Sequence, residues 1–141
     1  MTENALVPEL AVFDWSVSRD FYTDIIGFDV LYERPEEGFS FLAFGSAQLM
    51  IDQIGIGRTF ESGAPLLLPL GRGLNLQIRV DALETLLKRL AKSDYPLYLP
   101  PEEKCYRRDT VEIGHRQFIV ADPDGYLLRL YEDIGTRLSQ S

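Results

Sequence analysis

The chain has 141 residues, 45% of them hydrophobic, a single cysteine and a formal net charge of −8, which suits one compact domain or two fused small modules with a real core. No run of eighteen apolar residues is present and the N-terminus, MTENALVPEL, lacks the basic-then-apolar order of a secretory signal, so neither a membrane span nor export is expected. Cys105 alone excludes an intrachain disulfide framework and makes a reducing cytoplasm the expected compartment.

The charge is unevenly placed. Residues 1–71 hold eleven acids and three bases, a net of −8, whereas residues 72–141 hold eleven of each. A nucleic-acid partner is disfavoured, because phosphate binding needs a basic surface. A cationic ligand or basic partner would be attracted, although solubility alone would also account for the surplus.

Leu6–Phe13 reads as a strand that Pro8 confines to an edge, a strand start or a hinge. Asp14 or Ser16 can cap a helix running to about Ile26, with Val17, Phe21 and Ile25 as its apolar face and Gly27 just past its end. Asp29–Arg34, Phe39–Phe44 and Ala47–Gln53 follow as strands, separated by turn residues at Pro35–Gly38 and Gly45–Ser46. Residues 54–71, with several glycines and two prolines, read as a linker that is either functional or mobile.

The same order then recurs. Leu74–Val80 alternates apolar and polar without a break, the clearest strand signal in the chain. Asp81 can cap a helix through about Lys92, with Leu83, Leu86, Leu87 and Leu90 on one face. Strands are expected near Tyr95–Leu99, Arg116–Ala121 and Tyr126–Glu132, the last two joined by a tight turn at Asp122-Pro123-Asp124-Gly125. The first strands of the two halves are offset by 68 residues, placing Val7 over Asn75, Leu10 over Ile78 and Val12 over Val80. The fold class is therefore α+β: two βαβββ modules, about 5–53 and 72–133, in a curved mixed sheet with helices on one face and a concave cavity on the other.

Strand alternation assigns the cavity face. Val7, Glu9 and Ala11 belong to it from the first strand, Gln48, Met50 and Asp52 from the fourth, Asn75, Gln77 and Arg79 from the fifth, and Leu127, Arg129 and Tyr131 from the eighth. This is a polar, amide-rich lining suited to a polar organic ligand, although Glu9 and Arg129 could simply pair and fill the cleft. Phe60, in the linker, and Tyr106, in a loop expected at Lys104–Asp109, are the aromatic residues best placed to stack on a flat ligand. The residues expected to bind ligand are thus Glu9, Met50, Asp52, Phe60, Asn75, Gln77, Tyr106, Arg129 and Tyr131. No serine or cysteine triad is readable. Cys105 is expected to be a small buried or inert thiol and His115 an ordinary turn or surface histidine.

Val12-Phe13-Asp14, Phe21-Tyr22 and Ile26-Gly27-Phe28, followed late in the chain by Phe118-Ile119-Val120-Ala121-Asp122-Pro123-Asp124-Gly125 and Leu127-Leu128, resemble the vicinal-oxygen-chelate superfamily over about residues 6–133. That superfamily includes glyoxalase I, extradiol dioxygenases, fosfomycin-resistance enzymes and bleomycin-resistance proteins. The resemblance implies a divalent metal held by histidines in the first and fifth strands and a glutamate in the eighth. Those positions fall here on Val7, Asn75 and Arg129, with Met50 at a fourth. Valine has no lone pair, arginine only donates and repels cations, and methionine suits soft metals. No metal or other cofactor is therefore expected, an all-oxygen site at Glu9 and Asp52 being the alternative. Among the branches, the chain looks most like the metal-free bleomycin-resistance type. That likeness implies a homodimer which sequesters a cationic or aromatic small molecule in a dimer groove and has no catalytic residue. The alternatives are a glyoxalase-like lyase or dioxygenase with a non-standard site, and a module that binds another protein through its acidic half.

Overall fold

The computed structural model describes residues 2–57, 60 and 63–138. Residues 58, 59, 61 and 62 of the expected linker, and 139–141 of the tail, lie outside them. The chain divides into two compact units: residues 1–70 with Asp122–Gly125, and residues 71–121 with 126–141. Among the described residues, no helix is long and apolar enough to cross a membrane.

The first unit holds a sheet of four strands, β1 (Glu9–Val12), β2 (Asp29–Arg34), β3 (Phe39–Phe44) and β4 (Ala47–Gln53), in the order β1-β4-β3-β2. Only β1 and β4 run parallel. β1 begins after Pro8, which has no N–H for a ladder, and not at Leu6; the Pro8 carbonyl still accepts from Met50 N at 2.9 Å.

Helix α1 (Trp15–Asp20) is capped by Asp14, whose Oδ1 accepts from Val17 N at 3.2 Å. It then widens into a π-helical segment, Phe21–Ile26, closed by Gly27 at φ 107°. The expected apolar face, Val17, Phe21 and Ile25, is corrected by that widening. A π turn takes more residues than an α turn, so the buried set becomes Ser18, Phe21, Tyr22 and Ile26, with Val17 exposed.

The Asp122–Gly125 turn belongs to this unit. Tyr22 donates its hydroxyl to Asp122 Oδ2 at 2.6 Å, Ser18 Oγ donates to Asp124 Oδ2 at 3.0 Å, and Phe13 N donates to Asp124 Oδ1 at 2.9 Å. Both carboxylates are buried, a location that is tolerable only with such donors. Gly125 sits at φ 97°, a conformation that favours glycine.

The second unit repeats the plan. Strands β5 (Asn75–Arg79), β6 (Leu99–Arg108), β7 (Val111–Ala121) and β8 (Leu127–Leu138) form a sheet in the order β5-β8-β7-β6, with β5 and β8 parallel. Helix α2 (Leu83–Lys92) buries Leu83, Leu86 and Leu90, each worth about 1.5–3 kcal/mol of transfer free energy. Asp81 does not cap it. The cap position is Ala82, without a side-chain bond, and the orphan N–H of Leu83 points to Glu132 Oε2 at 3.4 Å.

The last three strands are longer or later than the sequence suggests. The region expected to be a loop, Lys104–Asp109, is mostly strand β6, and its turn is made by Asp109 at φ 56°. Cys105 is exposed rather than buried. His115 lies inside β7 at 6% exposure, not on a turn or the surface.

Candidate functional site

Sheet register brings the expected ligand-facing residues of the first unit into two cross-strand rows. Glu9, Met50, Phe41 and Tyr32 form one row; Ala11, Asp52, Phe39 and Arg34 form the next. Residues in register share a face. Tyr32 stacks on Phe41 with ring centroids 5.2 Å apart and planes 18° apart, and lies 5.9 Å from Phe39. The Arg34 guanidinium sits 4.1 Å over the Phe39 ring, a cation–π geometry, and its Nε donates to Glu37 Oε2 at 2.5 Å. Sequence reasoning missed the Tyr32–Phe41–Phe39 ladder; the alternation of Phe39 and Phe41 in β3, with Tyr32 in the preceding strand, was the signal that could have found it.

Above the second row opens a cleft of about 680 Å3, lined by Glu9, Arg34, Glu37, Phe39, Asp52, Ile56, Gly57 and Phe60. Three expected residues, Glu9, Asp52 and Phe60, are therefore brought to one cavity; Met50 is on the same sheet face outside this lining. Asp52 is pressed against the loop, because a Cβ added at Gly57 would lie 1.6 Å from its Oδ1. Gln48, expected on the cavity face, is taken up by the N-terminal segment: its Oε1 accepts from Asn4 N at 2.6 Å and its Nε2 donates to the Thr2 carbonyl at 3.0 Å. Tyr32 has its hydroxyl pushed upward in pKa by burial and by the neighbouring Glu3 carboxylate.

In the second unit the corresponding face carries the rows Gln77–Arg129–Ile119–Leu99, Arg79–Tyr131–Gln117–Glu102 and Asp133–His115–Lys104. Arg129 Nη2 donates to Gln77 Oε1 at 2.6 Å, while its buried Nε has no hydrogen-bond partner. Gln117, 2% exposed, donates to Glu102 Oε1 at 3.0 Å and to the Tyr106 hydroxyl at 2.8 Å. Tyr106 thus serves this unit's sheet, whereas Phe60 serves the cleft of the first. His115 stacks on Tyr131 at 4.1 Å with planes 22° apart, and its Nε2 lies 3.7 Å from Asp133 Oδ1.

The residues at the family's ligand positions do not suit a divalent ion. Val7 precedes β1, Met50 stands beside Glu9 in register, Asn75 opens β5, and Arg129 is a cation hydrogen-bonded to Gln77. Among the described residues, no three His, Cys, Asp or Glu side chains gather closely enough to hold a metal ion.

The family model described as "Glyoxalase/Bleomycin resistance protein/Dioxygenase superfamily" matches residues 5–130. A superfamily member of that same description from Vibrio splendidus 12B01 is 38% identical, over 90% of this chain and 97% of that one, with a TM-score of 0.41. The virulence protein STM3117 from Salmonella typhimurium is similar over 94% of this chain and 98% of its own, at 19% identity and a TM-score of 0.67. TioX from Micromonospora sp. ML1 is similar over 93% and 100%, at 20% identity and a TM-score of 0.68. These last two likenesses concern the fold. A comparison with curated proteins gives no match.

Proposed function

This chain belongs to the glyoxalase/bleomycin resistance protein/dioxygenase superfamily, and from that premise we propose that it is a small-molecule-binding protein that works without a metal, sequestering a cationic ligand with a flat aromatic part. Fold membership does not by itself choose among the superfamily's chemistries. The observation that carries the reading is the first-unit cleft, where Glu9, Glu37 and Asp52 stand with Phe39 and Phe60 and, among the described lining residues, the one arginine is tied to Glu37. Carboxylates in excess over bases raise the local concentration of cations, and the phenyl rings offer faces to a heterocycle. Sequestration needs no nucleophile and no general base.

A bleomycin-like glycopeptide is the ligand that the reading tests first. Calorimetric titration with metal-free and copper-loaded bleomycin should give saturable heat, weakened about tenfold or more in the doubly substituted Glu9→Gln, Asp52→Asn protein. No heat at tens of micromolar protein removes that ligand. Stoichiometric manganese, iron, nickel or zinc in protein purified without chelators would overturn metal independence in favour of a lyase or dioxygenase. The reading includes a homodimer, which sedimentation equilibrium checks.

A further inference from the structure

We propose that the second unit carries its own oxyanion site, in a pocket of about 450 Å3 lined by Gln77, Arg79, Arg108, Ile113, His115, Tyr131, Asp133, Gly135 and Thr136. It takes the carboxylate or phosphate group of a small organic ligand and is distinct from the acidic cleft proposed to bind cations.

Three observations converge on it. The first is charge pairing. Arg19, Arg34, Arg116 and Arg137 each meet a glutamate. Among the described residues, Arg79 and Arg108 form no ion pair, and both line this pocket. A guanidinium presents a planar fork of donors matched to two oxygens of one anion.

The second is His115. It is buried at 6% exposure, lines the pocket, and is held by stacking on Tyr131 and by Asp133 beside its Nε2. Its Nδ1 is buried without a hydrogen-bond partner, and it can donate to an anion when it carries a ring proton. Buried polar atoms without partners are uncommon and costly. Each such group calls for a partner, and a bound ligand, ion or water is one that would supply it.

The third is construction. β7 and β8 pair regularly as far as His115 and Asp133, and then the register shifts: Gly114 pairs with Gly135 and Ile113 with Thr136. Gly135 takes φ 114° at that bulge. The extra residue re-aims the strand end, and Ile113, Gly135 and Thr136 beyond it line the pocket together with His115. Tyr131, Asp133, Gly135 and Thr136 all lie beyond residue 130, where the family match ends.

The test is amide NMR titration of the full chain with benzoate, phenyl phosphate and, as cationic control, benzylamine. Saturable shifts at Gly135 and Thr136 with either anion and not with benzylamine support the site, and the better binder identifies the head group. Arg79→Gln and Arg108→Gln should each weaken that binding about tenfold; both side chains are exposed, and the spectra themselves report folding. The proposal is overturned if neither anion shifts these amides at millimolar concentration, if benzylamine shifts them equally, or if the two substitutions leave the affinity unchanged. The outcome is independent of the bleomycin titration, which reads residues of the first unit.

Discussion

Tyr22 donates its hydroxyl to Asp122 at 2.6 Å, joining two positions 100 residues apart in a buried contact. The Phe-Tyr pair of the first helix and the Asp-Pro-Asp-Gly turn are the motifs that carry the family resemblance, and here one is the hydrogen-bond donor and the other the acceptor. Tyr22→Phe removes the donor from a buried carboxylate with little change of volume. A loss of about 1–3 kcal/mol is expected, read as a lower denaturant midpoint with an unchanged slope in urea unfolding.

Arg19 and Glu33 form a two-pronged pair, Nε to Oε2 at 2.7 Å and Nη2 to Oε1 at 3.2 Å, with Ser40 Oγ also donating to Oε2. The Arg19 hydrogen bond holds the Glu33 carboxyl below the usual glutamate range, helped by Ser40 and opposed by burial. A depressed folded-state pKa contributes stability above the unfolded value, about 4.3, and that contribution is lost as pH falls through the folded value. Glu33→Gln should therefore cost about 1 kcal/mol at neutral pH and flatten the acid limb of stability measured by urea titration at stepped pH.

Gly125 carries two constraints together. Its φ is 97°, and a Cβ there would lie 2.5 Å from the Pro69 Cβ and 2.9 Å from its Cα. Gly125→Ala must move backbone as well as adopt a strained dihedral, with an expected loss of about 2–4 kcal/mol. Thermal unfolding followed by circular dichroism checks it.

Gly57→Ala acts on the cleft instead. The added methyl would collide with the Asp52 carboxylate, so the carboxylate or the loop has to shift. The expected result is a stability loss of about 1–3 kcal/mol and weaker binding of a cationic ligand, measured by calorimetry beside Asp52→Asn.

Much of the architecture was legible because the repeat is written in periodicity. The unbroken alternation of Leu74–Val80 became β5, Gly27 ended the first helical segment, and both sheets took the same strand order. The extent of β6 was not legible, since Pro100, Pro101 and the charges of Glu102–Lys104 give no strand pattern to an exposed edge. Edge strands tolerate that composition because one side faces solvent. His115 was misjudged for a related reason. Its strand carries Glu112, Gly114 and Arg116 around it, and it is cross-strand neighbours, Tyr106 on one side and Tyr131 and Asp133 on the other, that cover it. Glu9, Asp52 and Phe60 could be named in advance, two by alternation and one as a lone aromatic among glycines. That they share a cleft depends on how the 54–57 segment turns back, with Gly57 N bonded to the Gln53 carbonyl.

The chain's only tryptophan, Trp15, is anchored through its indole N–H to Ser40 Oγ at 2.7 Å and through its backbone N–H to Gln53. All three residues lie in the first unit. Indole emission, excited at the red edge of its absorption where tyrosine does not absorb, is therefore a private optical channel to one half of the molecule: quenching or a wavelength shift reports occupancy or melting there, while the tyrosines of the other half stay dark. Recording it beside far-ultraviolet ellipticity, which sees both sheets, turns a single heating experiment into a measurement of whether the halves come apart together or in turn.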